Sequence, residues 1–242
     1  MSNAIIVSDV HLGHSPPDTA RAFHSFLETV PQAEDHVVLN GDIFEFWFEY
    51  RHVIPRAAFP TLERLAALRA RGCRLTLTGG NHDRWGGPFW REYLRADFFP
   101  SGSRMELGGR RAWVHHGDGL TERGLASRML HAAITSRLTV TTFGLLHPDL
   151  GIGLVRRLSP WLAGKRRDAK SREAARVRQR QLAARLLDED SGLELVVLGH
   201  THEPWIEQLH PGRWYLNPGA WAEGCRYATV TAEGPQLKRY GA

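Results

Sequence analysis

The sequence predicts an α/β protein: a four-layer αββα sandwich of two facing mixed sheets, with an inserted helical cap. Three observations predict it. Short β-rich runs alternate with helical runs through the first part of the chain. From residue 104 onward, closely spaced strand-like runs follow with few helices between them. One long, basic, helical stretch interrupts that second series. At 242 residues, 42% apolar and 24% charged, the chain has the length and composition to bury a large core.

The first half has a βαβ rhythm. "AIIVSD" (4–9), "HVVLNGD" (36–42) and "RLTLTGG" (74–80) are strand-like. The stretches 18–30 and 55–71 place Phe23, Phe26, Leu27 and Val30, then Leu62, Leu65 and Leu68, at helical spacing. Such alternation implies a mainly parallel sheet. Each strand ends in polar residues, at the edge where open α/β sheets carry their sites. The later runs are "RMEL", "RRAWVHHGD", "LELVVLGH", "PWIEQL", "RWYLN", "RYATVT" and "QLKRY".

The interruption divides the chain into a core, 1–118 and 191–242, and a cap, 119–190. Leu150, Leu154, Leu158, Trp161 and Leu162 form an apolar helical stripe that begins just after Pro148, a favoured first helical position. Residues 168–187 read as a basic helix with Ala175, Leu182 and Leu186 on one side. Between Arg156 and Arg185 stand eleven Lys or Arg against Asp168 and Glu173, a local +9 in a chain whose net charge is +5. That concentration implies an anionic partner: phosphate, nucleic acid or an acidic membrane face. It lacks the interleaved aromatics of a single-strand nucleic-acid platform.

No run of eighteen apolar residues exists, so no spanning helix is expected. The N-terminus lacks a basic leader region and reads as a strand, so a cytoplasmic protein is expected. Cys73 and Cys225 lack CxxC spacing and read as free thiols.

Five polar clusters end strands: "DVHLG" (9–13), "GDIFEFW" (41–47), "GNHD" (80–83), "HHGD" (115–118) and "GHTH" (199–202). Imidazoles with hard oxygen donors and no thiolate suit Mn²⁺, Fe or Zn²⁺. A carboxylate can bridge two ions, and ions about 3.5 to 4 Å apart can acidify a bridging water and clamp an in-line displacement at phosphorus. Asp118 and Glu45 read as residues that orient ligands by hydrogen bonds. His115 alternates to the face opposite His116.

In order and residue type, the clusters resemble the calcineurin-like binuclear metallophosphoesterases, over nearly the whole chain. The resemblance implies two divalent metals, Mn²⁺ first. One would be held by Asp9, His11, Asp42 and His202, the other by Asp42, Asn81, His116 and His200. It also implies hydrolysis of a phosphoester or phosphoanhydride by a metal-bridging hydroxide. His82 would be a proton donor or phosphate contact, with Asp83 as its orienting partner.

"GDIFEFW", the long insertion, "GHTHEP" and "YLNPGAWAEGCRYATVT" look more narrowly like the UDP-2,3-diacylglucosamine pyrophosphatases of lipid A synthesis. That likeness implies a nucleotide-linked lipid as substrate, released as UMP and a diacylated glucosamine 1-phosphate, and peripheral contact with the inner membrane. The apolar stripe, Trp161 included, would take the acyl chains. Arg156, Arg157, Lys165, Arg166, Arg167 and Lys170 would meet phosphates or an anionic membrane. One departure stands out: the best-known members of that group carry Arg where this chain has His82. A phosphate leaving group, with a second ionisation near pH 6, needs charge stabilisation more than a proton; an alkoxide needs the proton. His82 therefore keeps a broader phosphomonoesterase or phosphodiesterase on a soluble substrate open.

Overall fold

The computed structural model describes residues 3–121, 124–162 and 169–241, with the side chains of 126, 127, 159–162, 169 and 170 outside the described set. The first sheet holds β1 (Ala4–Val7), β2 (His36–Asn40), β3 (Arg74–Thr78) and β4 (Asp97–Phe99) in parallel register. Antiparallel β10 (Arg226–Thr231) and β11 (Gly234–Arg239) extend it beyond β1, in the order β11-β10-β1-β2-β3-β4. The second sheet is β5-β6-β7-β9-β8. In it β5 (Ser103–Leu107), β6 (Arg110–Val114), β7 (Leu195–Val197), β8 (Trp205–His210) and β9 (Arg213–Asn217) pair in both senses. Both sheets are thus mixed, as expected.

Alternation along β1 and β2 separates two cores. Ala4, Ile6 and Val38 face the second sheet, meeting Val114, Val197 and Leu216. Ile5, Val7, Val37 and Leu39 face α1 (Pro17–Thr29) and α2 (Phe59–Ala70) through Phe23, Phe26, Leu27, Leu62, Leu65 and Leu68. Strands covered on both faces read as continuous apolar runs, which is why "AIIV" and "HVVL" show no polar alternation. Helix α1 starts on Pro17, a residue whose fixed φ suits the first helical position.

Two short elements escaped the sequence reading. These are β4 and the six-residue helix α3 (Phe89–Leu94), both too brief to show a period. Between β6 and β7 lie α4 (Leu125–Thr135), α5 (Arg137–Gly144), α6 (Pro148–Leu162) and α7 (Ala169–Glu189). On α7 the buried row is Ala175, Gln179, Ala183 and Leu187, with the expected Leu182 and Leu186 only half-buried beside it. Ala183 and Leu187 pack on Val196, Leu198 and Tyr215, so this half of α7 forms the outer layer over the second sheet. Leu150, Leu154 and Leu158 of α6 are 68%, 46% and 39% exposed. Among the described residues, no helix is long and apolar enough to cross a membrane.

Candidate metal centre

The carboxyl ends of β1, β2, β3, β6 and β7 each run into one of the polar clusters. The loops after β1 and β2 continue the parallel ladder: Asp9 N–H donates to Gly41 O (3.1 Å), and both Val10 and His11 N–H donate to Asp42 O (2.9 Å each). This locks the two aspartate-bearing turns together. Five of the eight described non-glycine residues with positive φ are Asp9, His11, Asp42, His200 and His202. Left-handed backbone at non-glycine residues persists only where the surroundings over-determine it, and it concentrates at functional sites. Gly80 has its own reason to be glycine, since a Cβ there would overlap Asp42 Oδ1.

The side chains converge. His202 Nε2 lies 3.3 Å from Asp9 Oδ1, and His116 Nε2 lies 3.1 Å from Asp42 Oδ2 and 3.8 Å from Asp9 Oδ1. His11 Nε2 is 4.0 Å from Asp42 Oδ2. Asp9, His11 and His202 bring ligand atoms within 4.8 Å of one another; so do Asp42, His116 and His200, and so do His11, Asp42 and His82. Asn81 Oδ1 is buried with no hydrogen-bond partner. Its neighbours Gly80 and His82 both lie against Asp42, and a buried orphan oxygen in that turn fits a cation better than a packed core.

Three of these imidazoles engage Nδ1 away from the cluster and turn Nε2 toward it. His116 Nδ1 donates to Asn40 O (2.9 Å), His11 Nδ1 meets Glu45 Oε2 (3.1 Å), and His202 Nδ1 meets Glu223 Oε1 (2.9 Å). Asn40 is itself held, accepting from Thr78 Oγ1 and donating to His115 O. Outer partners of this kind set the orientation of ligating histidines.

The electrostatics follow from the crowding. Burial alone would raise the Asp9 carboxyl, yet His202 and His116 beside it hold it well below the usual carboxylate range. The same contest leaves Asp42 well below its ordinary value, chiefly through His116. Burial opposes charge on His116 and His202, but Asp42 and Asp9 raise His116 well above its ordinary value, and Asp9 with Glu223 lifts His202 to about 10. In the cation-free chain, protons on the histidines balance the aspartates.

His82 sits at the mouth, its ring 5.0 Å from that of His11. Its Nδ1 donates to Glu45 O (2.9 Å), and its backbone N–H donates to Asp42 Oδ1 (2.9 Å). Asp83, expected to orient His82, does something else. Buried beneath the loop, it accepts backbone N–H bonds from Asp42 (3.1 Å), Ile43 (2.7 Å), Phe44 (3.4 Å) and Gly80 (2.9 Å). The side chain of an adjacent residue in this turn points into the protein while His82 points out, so the carbonyl of Glu45 takes the orienting role. Burial, then the nearby Asp42 charge, raises the Asp83 carboxyl.

Asp118, expected to orient a ligand, instead takes Arg84 Nη2 and lies 3.3 Å from His131 Nδ1 of α4, neither of them among the expected ligands. His115 stacks on Trp113 and accepts from Gly117 N–H (2.8 Å), away from the cluster as expected. Trp85 Nε1 donates to Ile134 O, and Phe143 of α5 packs against Phe46 and Phe48. Arg156 and Arg157 are exposed on α6. Lys165, Arg166 and Arg167 lie outside the described residues, as do the side chains of Trp161 and Lys170. Glu223 escaped the sequence reading because a lone glutamate after a tryptophan carries no pattern; only the fold brings the turn Trp221–Glu223 to β1, where Trp221 N–H donates to Ser8 O.

Residues 3–204 match the calcineurin-like phosphoesterase family. The chain belongs to that family. This phosphoesterase is a hydrolase of a kind that uses divalent metals. It is 29% identical over 224 residues to a UDP-2,3-diacylglucosamine hydrolase of Ralstonia nicotianae, covering 87% of this chain and 81% of that one. It is 30% identical over 221 residues to the enzyme of that name from Azotobacter vinelandii, covering 85% and 83%. With the one from Porphyromonas gingivalis it shares 32% identity over 156 residues, spanning 57% of this chain and only 60% of that protein.

Proposed function

We propose that this phosphoesterase binds two divalent cations, Mn²⁺ first among them, and splits UDP-2,3-diacylglucosamine into UMP and 2,3-diacylglucosamine 1-phosphate. Asp9, His11, Asp42 and His202 would hold one cation; Asp42, Asn81, His116 and His200 the other. The observation that carries the reading is the meeting of both aspartates with His116 and His202 at 3.1 to 3.8 Å, beside a turn in which Asn81 Oδ1 is buried and unpartnered. When bound, two such cations supply Lewis acidity and stabilise the attacking and leaving oxygens of an in-line displacement at phosphorus. The names of the relatives support the substrate.

The chain's own residues divide the remaining work. Glu45 and Glu223 hold His11 and His202 in the tautomer that presents Nε2. His82, with Nδ1 committed to a carbonyl, has Nε2 left to donate a proton or a hydrogen bond to the departing oxygen. Within the 119–190 cap, helices α4–α6 and the start of α7 would meet the substrate, while Ala183 and Leu187 in the later half of α7 pack on the second sheet. Exposed Leu150, Leu154 and Leu158, with Arg156 and Arg157 on the same helix, suit acyl chains and an anionic membrane face on the cytoplasmic side.

His82 favours a second reading, a phosphomonoesterase or phosphodiesterase acting on soluble esters, since a histidine donor serves an alkoxide leaving group. One experiment separates the two. Mn²⁺-loaded protein is given UDP-2,3-diacylglucosamine or a soluble aryl phosphate, in parent, His82→Ala and His82→Arg forms. UMP release kept by His82→Arg supports the lipid pyrophosphatase. Aryl phosphate turned over as well as the lipid, and lost in His82→Arg, supports the second reading.

A further inference from the structure

Helix α7 lays a row of four residues on the second sheet at a spacing of four: Ala175, Gln179, Ala183 and Leu187. Three are apolar, as this contact asks. Gln179 is a polar amide with no exposed surface at all. A buried amide is costly unless it is hydrogen-bonded, and here both its nitrogen and its oxygen have partners. Gln179 Nε2 donates to Gly199 O (2.9 Å), while Oε1 accepts from Thr201 Oγ1 (3.0 Å), Tyr215 OH (3.1 Å) and Asn217 Nδ2 (3.2 Å). Gly117, in the loop that follows His116, is shaped to the same amide: a Cβ there would come within 2.7 Å of Gln179 Nε2.

Gly199 and Thr201 flank His200, and Thr201 separates His200 from His202. Both histidines hold left-handed backbone, φ 68° and 63°, which ordinary residues leave unless something holds them. The local turn offers one bond of its own, Thr201 N–H to Gly199 O (2.8 Å). Asn217 Nδ2 adds contacts to Gly199 O (3.2 Å) and Thr201 Oγ1 (3.0 Å), so the amides of Gln179 and Asn217 grip the turn from below. A carboxamide supplies, on separate atoms, both a donor for the carbonyl and an acceptor for the hydroxyl; a carboxylate lacks the donor, and an apolar side chain lacks both.

We propose that Gln179 is a positioning residue of the metal centre, holding the strained Gly199–His202 turn so that His200 and His202 present their imidazoles to the two cations. This rests on the metal-centre reading above. It assigns to α7, a helix outside the five clusters, control over cation affinity.

The test is Mn²⁺ binding by titration calorimetry on the full chain, alongside melting of the cation-free protein. Gln179→Met keeps the shape and removes the hydrogen bonds; affinity should fall about 10- to 100-fold, as for other outer-shell partners. Leu187→Ala, two turns along the same row, should lower the melting temperature and leave the affinity as in the parent. Thr201→Val removes the other end of one bond and should weaken binding in the same direction; combined with Gln179→Met it should add less than the sum of the two. Parent affinity in Gln179→Met, or equal losses in Leu187→Ala, would overturn the proposal while leaving the metal centre intact. If Gln179→Met does not fold, parent affinity in Thr201→Val overturns it. A parent chain that takes up no Mn²⁺ would overturn the metal-centre reading and this proposal together.

Discussion

Glu223 Oε1 lies 2.9 Å from His202 Nδ1, on the side of the ring away from Asp9, whose Oδ1 is 3.3 Å from His202 Nε2. The imidazole therefore spans two carboxylates, one half-exposed and one fully buried. On the proposed reading, the outer one would select the tautomer and the inner one would share the cation. Glu223→Gln keeps a partner for Nδ1 but removes the charge that raises the basicity of the ring. Mn²⁺ affinity should fall by about tenfold or more while the melting temperature of the cation-free chain stays near the parent's, since Glu223 is on the surface. Unchanged affinity in a calorimetric titration would contradict this role.

Cation binding should release protons. His202 is raised to about 10 and so carries a proton at pH 8 in the cation-free chain, and Asp42 and Asp9 raise His116 well above its ordinary value in the same direction. A ligating imidazole must be neutral at its donor nitrogen. Calorimetry of Mn²⁺ binding in two buffers of different ionisation enthalpy should report protons released at pH 8, that of His202 among them. Apparent affinity should rise with pH over the same range. A buffer-independent enthalpy would count against these two histidines as ligands.

Asp83 belongs to the stability of the site rather than to proton transfer. Asp83→Ala strands four backbone N–H groups of the Gly41–Phe44 and Gly80 loops that now share one carboxylate. Hydrogen bonds to a charged acceptor are worth about 1.5 to 3 kcal/mol each, and a stranded buried donor adds to the loss, so the cost should exceed about 3 kcal/mol in urea unfolding. A loss of activity with parental stability would instead return Asp83 to the reaction.

His36 should shape the acid limb of stability. Buried in β2 against Thr76 Oγ1 (2.8 Å), it is driven by burial, then by Arg74, from 6.5 down to about 4. The unfolded chain therefore binds this proton first. The stability it contributes is full above pH 6.5, falls as pH drops through the window from 6.5 to 4, and levels off below. His36→Gln should reduce the parent's loss between pH 7.5 and pH 5 by about 2 kcal/mol. Identical pH slopes in urea melts of parent and variant would refute it. His115, also near 4 through burial, steepens the same limb in both proteins.

The legible parts of this protein are those in which one residue type at one spacing has one physical meaning. The runs "AIIV", "HVVLN" and "RLTLT" could only be covered strands, and Phe23, Phe26 and Leu27 only a helix face. The polar clusters were legible because packing has no use for Asp9, Asp42 or His116 at a strand's end. Asp83 misled because adjacency in sequence suggested a partnership that the turn denies, sending one side chain inward and the next outward. Leu182 and Leu186 misled because a helical period states a face and not which of two neighbouring rows meets the sheet.

The sequence by itself determined the layer order, the five site-bearing strand ends and the class of donor atoms, since hydrophobic period and side-chain chemistry are local properties. Only the tertiary structure decided that β10 and β11 complete the first sheet, that Glu223 and Gln179 stand behind His202 and the Gly199–His202 turn, and that Glu45 rather than Asp83 meets His82. Those contacts join residues from 20 positions apart, as for Gln179 and Gly199, to 226 apart, as for Ala4 and Val230, and they form only when the whole chain folds. No spacing along the chain records them.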